Sequence, residues 1–231
     1  MLVVLFVFSR IFNVYDLKGS IAAFVVGFLV AVLGSIEWLI LMIVFAVVSH
    51  FATISFLDLK KEISAQEGKE GERRTSNVVY AALIGLGIAV VHFVDPINVP
   101  YFILFTVSFA VIASDTFASE IGIIDKKVYM ITTFKPTARG INGGVSVLGQ
   151  IAALAGSFII SVSYSLIAHG TIFLEPVLAI GIVGFLGCQV DSLLGALFEN
   201  RGKLTKGEVN MFASLSAVIV TGILLIIFPS I

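Results

Sequence analysis

Charge is the scarcest thing in this sequence. Only 13% of its 231 residues are Asp, Glu, Lys or Arg, while 58% are hydrophobic. A soluble domain needs a far more charged surface to stay dispersed, so this balance excludes water as the main solvent and points to lipid. The mean hydropathy of +1.10 agrees. Cysteine is nearly absent. Cys188 stands alone inside an apolar run, which excludes an intrachain disulfide framework and a cysteine-based zinc site. Histidine is limited to His50, His92 and His169, on different segments and without ligand spacing, so they read as packing or interfacial residues. There is no Walker loop, no HExxH and no convincing Ser-His-Asp order. The first eight residues, Met1 to Phe8, are apolar but too short to span, and they lack the basic lead and small-residue cleavage site of a signal peptide. They are either an interfacial lead-in or the inner end of a shortened first helix.

What is there is a series of long apolar runs, at about 19–34, 36–57, 77–94, 99–122, 145–168, 176–198 and 209–229. Crossing the hydrocarbon takes about 20 apolar residues per helix. The sequence therefore predicts an all-α polytopic bundle of six or seven transmembrane helices, a single transmembrane domain over 1–231. Gly34-Ser35 before Glu37 predicts a tight turn between the first two runs. Three polar loops interrupt the series, at about 58–76, 125–144 and 199–208. Alternate threading puts these loops on one side, together with Arg10 and Lys18. All fourteen Lys and Arg residues then share that face, including Lys69, Arg73 and Arg74 of the first loop. The connections around Glu37, around Asp95-Pro96 and from His169 to Glu175 carry none. By the positive-inside rule the basic face is expected to be cytoplasmic. The Lys/Glu-rich first loop reads as a solvated linker, with its end at Gly71 to Asn77 near enough to approach a site.

Two ionisable residues lie inside apolar runs, where they are costly and default to function: Asp115 and Asp191. Each follows a proline (Pro100, Pro176) by fifteen residues, so at 1.5 Å per residue both sit at similar depth toward the basic face. Two carboxylates at one level on helices running the same way can converge on a cation; the alternative is that each is neutral, or bonded to a neighbouring Ser or Thr, in a packed bundle. Glu120, Glu199 and Asn200 come next toward that face, and Asp191, Gly195 and Glu199 share one helical face by their spacing. Hard oxygens of this kind suit Mg²⁺ shared with substrate phosphates, with Asp115, Glu120, Asp191 and Glu199 as candidate ligands.

The segment Lys135-Pro136-Thr137-Ala138-Arg139-Gly140-Ile141-Asn142-Gly143-Gly144-Val145-Ser146 runs into a transmembrane helix. Glycines let backbone N–H groups turn toward an anion, the helix start adds positive potential, and Lys135 and Arg139 add full charges. It reads as a phosphate cradle, or else as a tight turn. The loop from Arg201 to Asn210 repeats the theme faintly. An Arg-Gly pair follows each intramembrane aspartate and an Asn opens each following helix, a pattern that would fit an internal duplication.

At these residues the chain resembles a known family. Ala113-Ser114-Asp115-Thr116-Phe117-Ala118-Ser119-Glu120-Ile121-Gly122 is similar to its signature ADTWASEIG. Gly140 to Gly149, Val190-Asp191-Ser192-Leu193-Leu194-Gly195-Ala196, the pattern Lys18 to Ala23 and the approach to Asn77 also match, over nearly the whole chain. The family is the group of membrane proteins that includes plant and cyanobacterial phytyl-phosphate kinase. It looks distantly similar to polyprenol kinases and to CTP-using cytidylyltransferases of membranes. The resemblance implies phosphorylation of an isoprenyl monophosphate to the diphosphate, with a nucleoside triphosphate, CTP, as donor and Mg²⁺ as cofactor. It carries Asp115, Glu120, Asn142, Asp191 and Asn210 over as the polar centre. Lys206-Gly207 stand here where relatives often have an asparagine–acid pair.

On this reading Asp115, Asp191, Asn142 and Arg139 are catalytic. Lys135, Arg139, Asn142, Gly143, Gly144, Ser146 and Asn210 bind phosphate or substrate. The expected partners are an isoprenyl phosphate lipid, a nucleoside triphosphate and the bilayer, without nucleic acid; a homo-oligomer is left open. Two other readings stand beside it: an ion-coupled transporter using the two aspartates, and a cytidylyltransferase that forms a CDP-lipid and releases pyrophosphate. The near-pure hydrocarbon of the outer half-helices favours a one-sided enzyme site.

Overall fold

The computed structural model describes residues 2–63, 66, 71–72, 75–95 and 99–227. Lys69, Arg73, Arg74 and Pro96 lie outside the described residues. Within them the chain is helical almost throughout, with helices α1 (Leu2–Ile11), α2 (Leu17–Leu33), α3 (Ile36–Ile54), α4 (Leu57–Glu62), α5 (Thr75–Val94) and α6 (Tyr101–Gly122). A small sheet of β1 (Val128–Met130), β2 (Pro136–Thr137) and β3 (Gly144–Val145) follows, then α7 (Val147–His169), α8 (Leu174–Leu197) and α9 (Lys206–Ile227). Among the described residues, six helices (α3 and α5–α9) are long and apolar enough to cross a membrane. At 17 residues α2 is shorter, about 25 Å.

Helix α1 is a separate ten-residue helix, too short to cross a membrane by itself. It lies antiparallel along α2, with Leu2 against Gly27 and Ser9 Oγ 2.8 Å from Ser20 Oγ. Asp16 accepts the N–H of Gly19 at 2.6 Å and starts α2.

Helix α6 is the centre of the bundle. Of its membrane window, 67% is buried, against 22% for α9 on the periphery. It packs on α3, α5, α7, α8 and α9. Small residues set how close its neighbours come. A Cβ on Gly122 would lie 2.8 Å from Gly149 Cα, and one on Gly156 would lie 2.6 Å from the Ala113 carbonyl oxygen. On the other side Gly184 meets Ala110, and Gly187 meets Val111. Hydroxyls reinforce the seams: Ser114 Oγ donates to Ala153 O at 2.9 Å and Ser157 Oγ to Gly181 O at 2.7 Å. Aromatic rings close the opposite end, where His92 stacks on Trp38 at 5.2 Å and His169 meets Tyr164 and Phe173. Those two histidines are packing residues, as expected.

Two polar loops depart from the sequence reading. The second is organised as an antiparallel sheet in the order β2-β1-β3, with Tyr129 paired to Pro136 and to Val145. The alternation that marks a strand is too short there to read from sequence. The first loop was expected to be a solvated linker, but it begins with α4 folded back under the bundle. Phe56 turns the chain in the left-handed region (φ 59°), and Lys60 is driven into the interior at 1% exposure. Its ammonium donates to Ala52 O at 3.2 Å, Thr53 O at 2.8 Å and Glu120 Oε2 at 2.7 Å. One cation thus caps the C-terminal carbonyls of α3, matches that helix's negative pole, and ties α3 to α6.

An ion pair this deeply buried stabilises little relative to an apolar pair but is costly to break on one side. Lys60→Met is expected to destabilise the protein by about 3–5 kcal/mol, and Lys60→Met with Glu120→Leu to recover most of that loss. Thermal unfolding in detergent, followed by tryptophan fluorescence, checks the order of the three proteins. A single variant as stable as the double one would refute it.

Candidate functional site

The helix ends nearest the polar loops enclose the two intramembrane aspartates. Asp115 sits on α6 two turns before its end, and Asp191 on α8 at a matching level. The glycine contacts along α6 bring these helices close enough that the two carboxyl groups line one cleft and act on each other electrostatically. Asp191 is only 9% exposed, and its Oδ2 has no hydrogen-bond partner among the described residues. The sequence alternative, that each aspartate is satisfied by a neighbouring Ser or Thr, therefore does not describe Asp191. A buried carboxylate oxygen without a partner is costly, and it is the usual mark of a ligand position. Asn210 Oδ1, at the start of α9, is likewise buried and unpartnered among the described residues.

Around this pair lies a polar cleft of about 440 Å³, a size that holds a small ligand. Arg139, Asn142, Gly143, Gly144, Ser146 and Glu199 line it, with Asp115 and Asp191 as its floor. The loop from Gly140 to Gly144 is held there by fixed contacts. Gly140 and Gly143 both take φ 77°, which favours glycine, and a side chain on Gly143 would strike Ala196 and the Ser192 carbonyl of α8. The N–H of Ile131 donates to Gly143 O at 2.9 Å, and Asn200 Nδ2 donates to Asn142 O at 2.8 Å. Ser146 accepts the N–H of Gly149 at 3.1 Å and caps α7, so its hydroxyl is partly committed to the fold. Asp125 accepts the N–H of Lys127 at 3.0 Å and that of Leu148 at 3.5 Å. The Lys127 N–H holds the Asp125 carboxyl below its ordinary value. That tie is therefore present at neutral pH and is lost as the pH falls through the lowered value.

The expected residues do not all meet in one way. Asp115, Asp191, Asn142, Arg139, Gly143, Gly144, Ser146 and Glu199 share the cleft. Helix α8 ends at Leu197, so Glu199 reaches the cleft from a 3-10 turn, Glu199–Arg201, rather than along a continued helical face. Its carboxylate lies within reach of the Asn142 side chain. Glu120 also borders the cleft, but Lys60 occupies its Oε2, and Thr53 Oγ1 lies 3.3 Å from its Oε1. It belongs to the ion pair first. Lys135 is exposed at the β1–β2 turn and does not line the cleft. Asn210 faces a second cleft, of about 310 Å³, which shares Asp115, Ser119, Glu120 and Lys206 with the first. Sequence reasoning missed Lys60 and Lys206. Lys206 acts electrostatically on both Asp191 and Glu199. The apolar frame Phe56-Leu57-Asp58-Leu59-Lys60 was the available signal that Lys60 lies on an amphipathic turn.

No set of three or more His, Cys, Asp or Glu side chains forms a preformed metal cage among the described residues. The Asp115–Asp191 pair, with one orphaned oxygen, nonetheless fits Mg²⁺, which keeps waters and takes one or two carboxylates plus substrate phosphates.

Known proteins bear on this site. Residues 1–225 match the family model described as integral membrane protein DUF92. An uncharacterized membrane protein of Methanocaldococcus jannaschii is 31% identical over 201 residues, covering 87% of this chain and 81% of that protein. One of Synechocystis is 30% identical over 212 residues, covering 87% and 79%. Protein VTE6, chloroplastic, of Arabidopsis thaliana is 28% identical over 191 residues, covering 80% of this chain and 56% of its own length. No solved structure matches the chain. With both aspartate motifs and all but the last two residues of α9 inside the matched region, the chain belongs to the DUF92 family of integral membrane proteins.

Proposed function

We propose that the protein is a membrane-embedded kinase that transfers the γ-phosphate of a nucleoside triphosphate, CTP by resemblance, to an isoprenyl monophosphate. The observation that carries this reading is the paired Asp115 and Asp191, with an unpartnered oxygen, beneath a cleft lined by Arg139 and the Gly140–Gly144 loop. The similarity to VTE6 and the motif resemblance to the phytyl-phosphate kinase group support it. Orientation with the basic loops in the cytoplasm, where the nucleotide is, follows the charge distribution.

Phosphoryl transfer is chiefly a matter of placing reactants and neutralising charge. Arg139, the Asn142 side chain and the Gly143 N–H bind phosphate oxygens, while the Gly144 N–H closes the turn by donating to Ile141 O at 2.9 Å. Asp115 and Asp191, with Glu199 beside them, would hold Mg²⁺; Lys206 offsets part of their negative charge. Bound Mg²⁺ supplies charge neutralisation on the donor phosphates. The acceptor is already an anionic phosphate, so no strong general base is required. Polar groups away from the cleft argue against a transport path. Thr106 donates to Phe102 O and Ser108 to Phe105 O, both within α6, at 2.7 Å.

Purified protein with Mg²⁺, phytyl or geranylgeranyl monophosphate and γ-labelled CTP, then ATP, is expected to place label in the isoprenyl diphosphate. Absence of transfer with every donor would refute the kinase, and labelled pyrophosphate with a CDP-lipid would select the cytidylyltransferase. Asp115→Asn and Asp191→Asn are each expected to lower kcat by roughly a hundredfold or more while the protein stays folded in detergent. Arg139→Ala is expected to raise a substrate KM about tenfold, read in the same assay. A cysteine placed at Lys126 should react with impermeant maleimide only from the cytoplasmic side of oriented vesicles, because native Cys188 is buried.

A further inference from the structure

Two polar cavities meet at Asp115, a third and apolar one adjoins the second of them, and their chemistry differs. The polar cleft holds the glycine loop and Arg139. Across Asp115, the second cleft is walled by Ser76, Asn77, Tyr80, Lys206 and Asn210. A third, apolar groove between α1, α2, α3 and α5 adjoins that second cleft, and Asn77 and Ala81 line both. Neither residue lines the glycine-loop cleft. The groove follows α3 from Ile54 to Leu39, fifteen residues or about 22 Å, more than the half-thickness of the hydrocarbon at about 15 Å. Its rim residues Phe12, Val47 and Phe51 are exposed, so it opens sideways to lipid.

Resting on the kinase reading, we infer that the two substrates occupy opposite sides of Asp115. The nucleoside triphosphate takes the glycine-loop cleft. The acceptor phosphate takes the Asn77–Asn210 cleft, with its hydrocarbon tail along the α1–α2–α3–α5 groove. An amphiphile with one anionic end and one long apolar chain fits this pair of cavities, because the groove and the Asn77–Asn210 cleft adjoin along Asn77 and Ala81. The Lys206 ammonium lines both clefts and brings positive charge to the acceptor phosphate, while the Asn210 side chain lines the acceptor side alone. Transfer then crosses that wall. An oxygen of the acceptor phosphate forms a bond to the γ-phosphorus, the bond from that phosphorus to the β,γ-bridging oxygen breaks, and the nucleoside diphosphate leaves with the electron pair. No proton needs to move when the acceptor is fully ionised.

The test has two arms. In the first, geranylgeranyl monophosphate carrying a diazirine near its tail end is photolysed with the wild-type protein in nanodiscs, and adducts are mapped by mass spectrometry. Adducts on groove residues such as Met42 and Phe24, suppressed by excess phytyl monophosphate, are the expected result. Adducts confined to α7, α8 or α9, or insensitive to competition, would overturn the assignment. This arm does not require turnover, so it decides the groove even if no nucleotide donates a phosphate and the kinase reading falls. In the second, Ala46→Trp fills the groove at a position that lines neither polar cleft. It is expected to raise the KM for geranylgeranyl monophosphate about tenfold or more, and to leave those for dimethylallyl monophosphate and CTP within about twofold. Equal losses for long and short acceptors, or a raised CTP KM alone, would overturn it.

Discussion

Close backbone approach around α6 is the constraint on which the rest depends. In lipid, helices gain nothing from hiding apolar surface from one another, so association rests on packing at short range. Glycines on α7 and α8 let both come against α6, at Gly122, Ala113, Ala110 and Val111. That spacing brings Asp115 and Asp191 to one cleft and seats Gly143 against α8. A bulkier residue at any of these crossings would separate the carboxylates as well as loosen the bundle.

Two buried acids that line the same cleft, Glu120 on α6 and Asp191 on α8, have opposite fates. Glu120 is matched by a lysine whose three N–H donors all find oxygen acceptors, and it stands as part of the scaffold. The aspartate pair is left with an unmatched oxygen. Burying charge is tolerable only when it is paired, and the lysine that meets Glu120 has no counterpart at Asp191 Oδ2 among the described residues. The scaffold pair also anchors α4, and with it the start of the first polar loop.

Fold class was legible because lipid imposes a simple code of length and apolarity, and α3 and α5–α9 follow it closely. The aspartates were legible for the same reason, as charges where charge is costly. Their equal depth could be counted from prolines, though not their meeting in one cleft, which depends on how the helices rotate and cross. What stayed hidden was local and polar. The β1–β3 sheet has strands of two or three residues, too short for any periodicity. Lys60 sat in a run of charges that looks solvated, and only the fold-back at Phe56 reveals its burial. Lys135 looked like part of the cradle by sequence proximity, yet the β1–β2 turn carries it outward. Glu199 kept its place at the cleft although the helix expected to hold it ends first.

The sideways opening at Phe12, Val47 and Phe51 changes what concentration means for this protein. A ligand that comes through such a gap diffuses in two dimensions and is counted per unit of membrane area, not per unit of volume. Occupancy then follows the ligand's mole fraction among the surrounding lipids. Adding inert phospholipid thins the supply even when the total amount in the tube is constant. The composition of the bilayer becomes, in effect, one of the reactant concentrations.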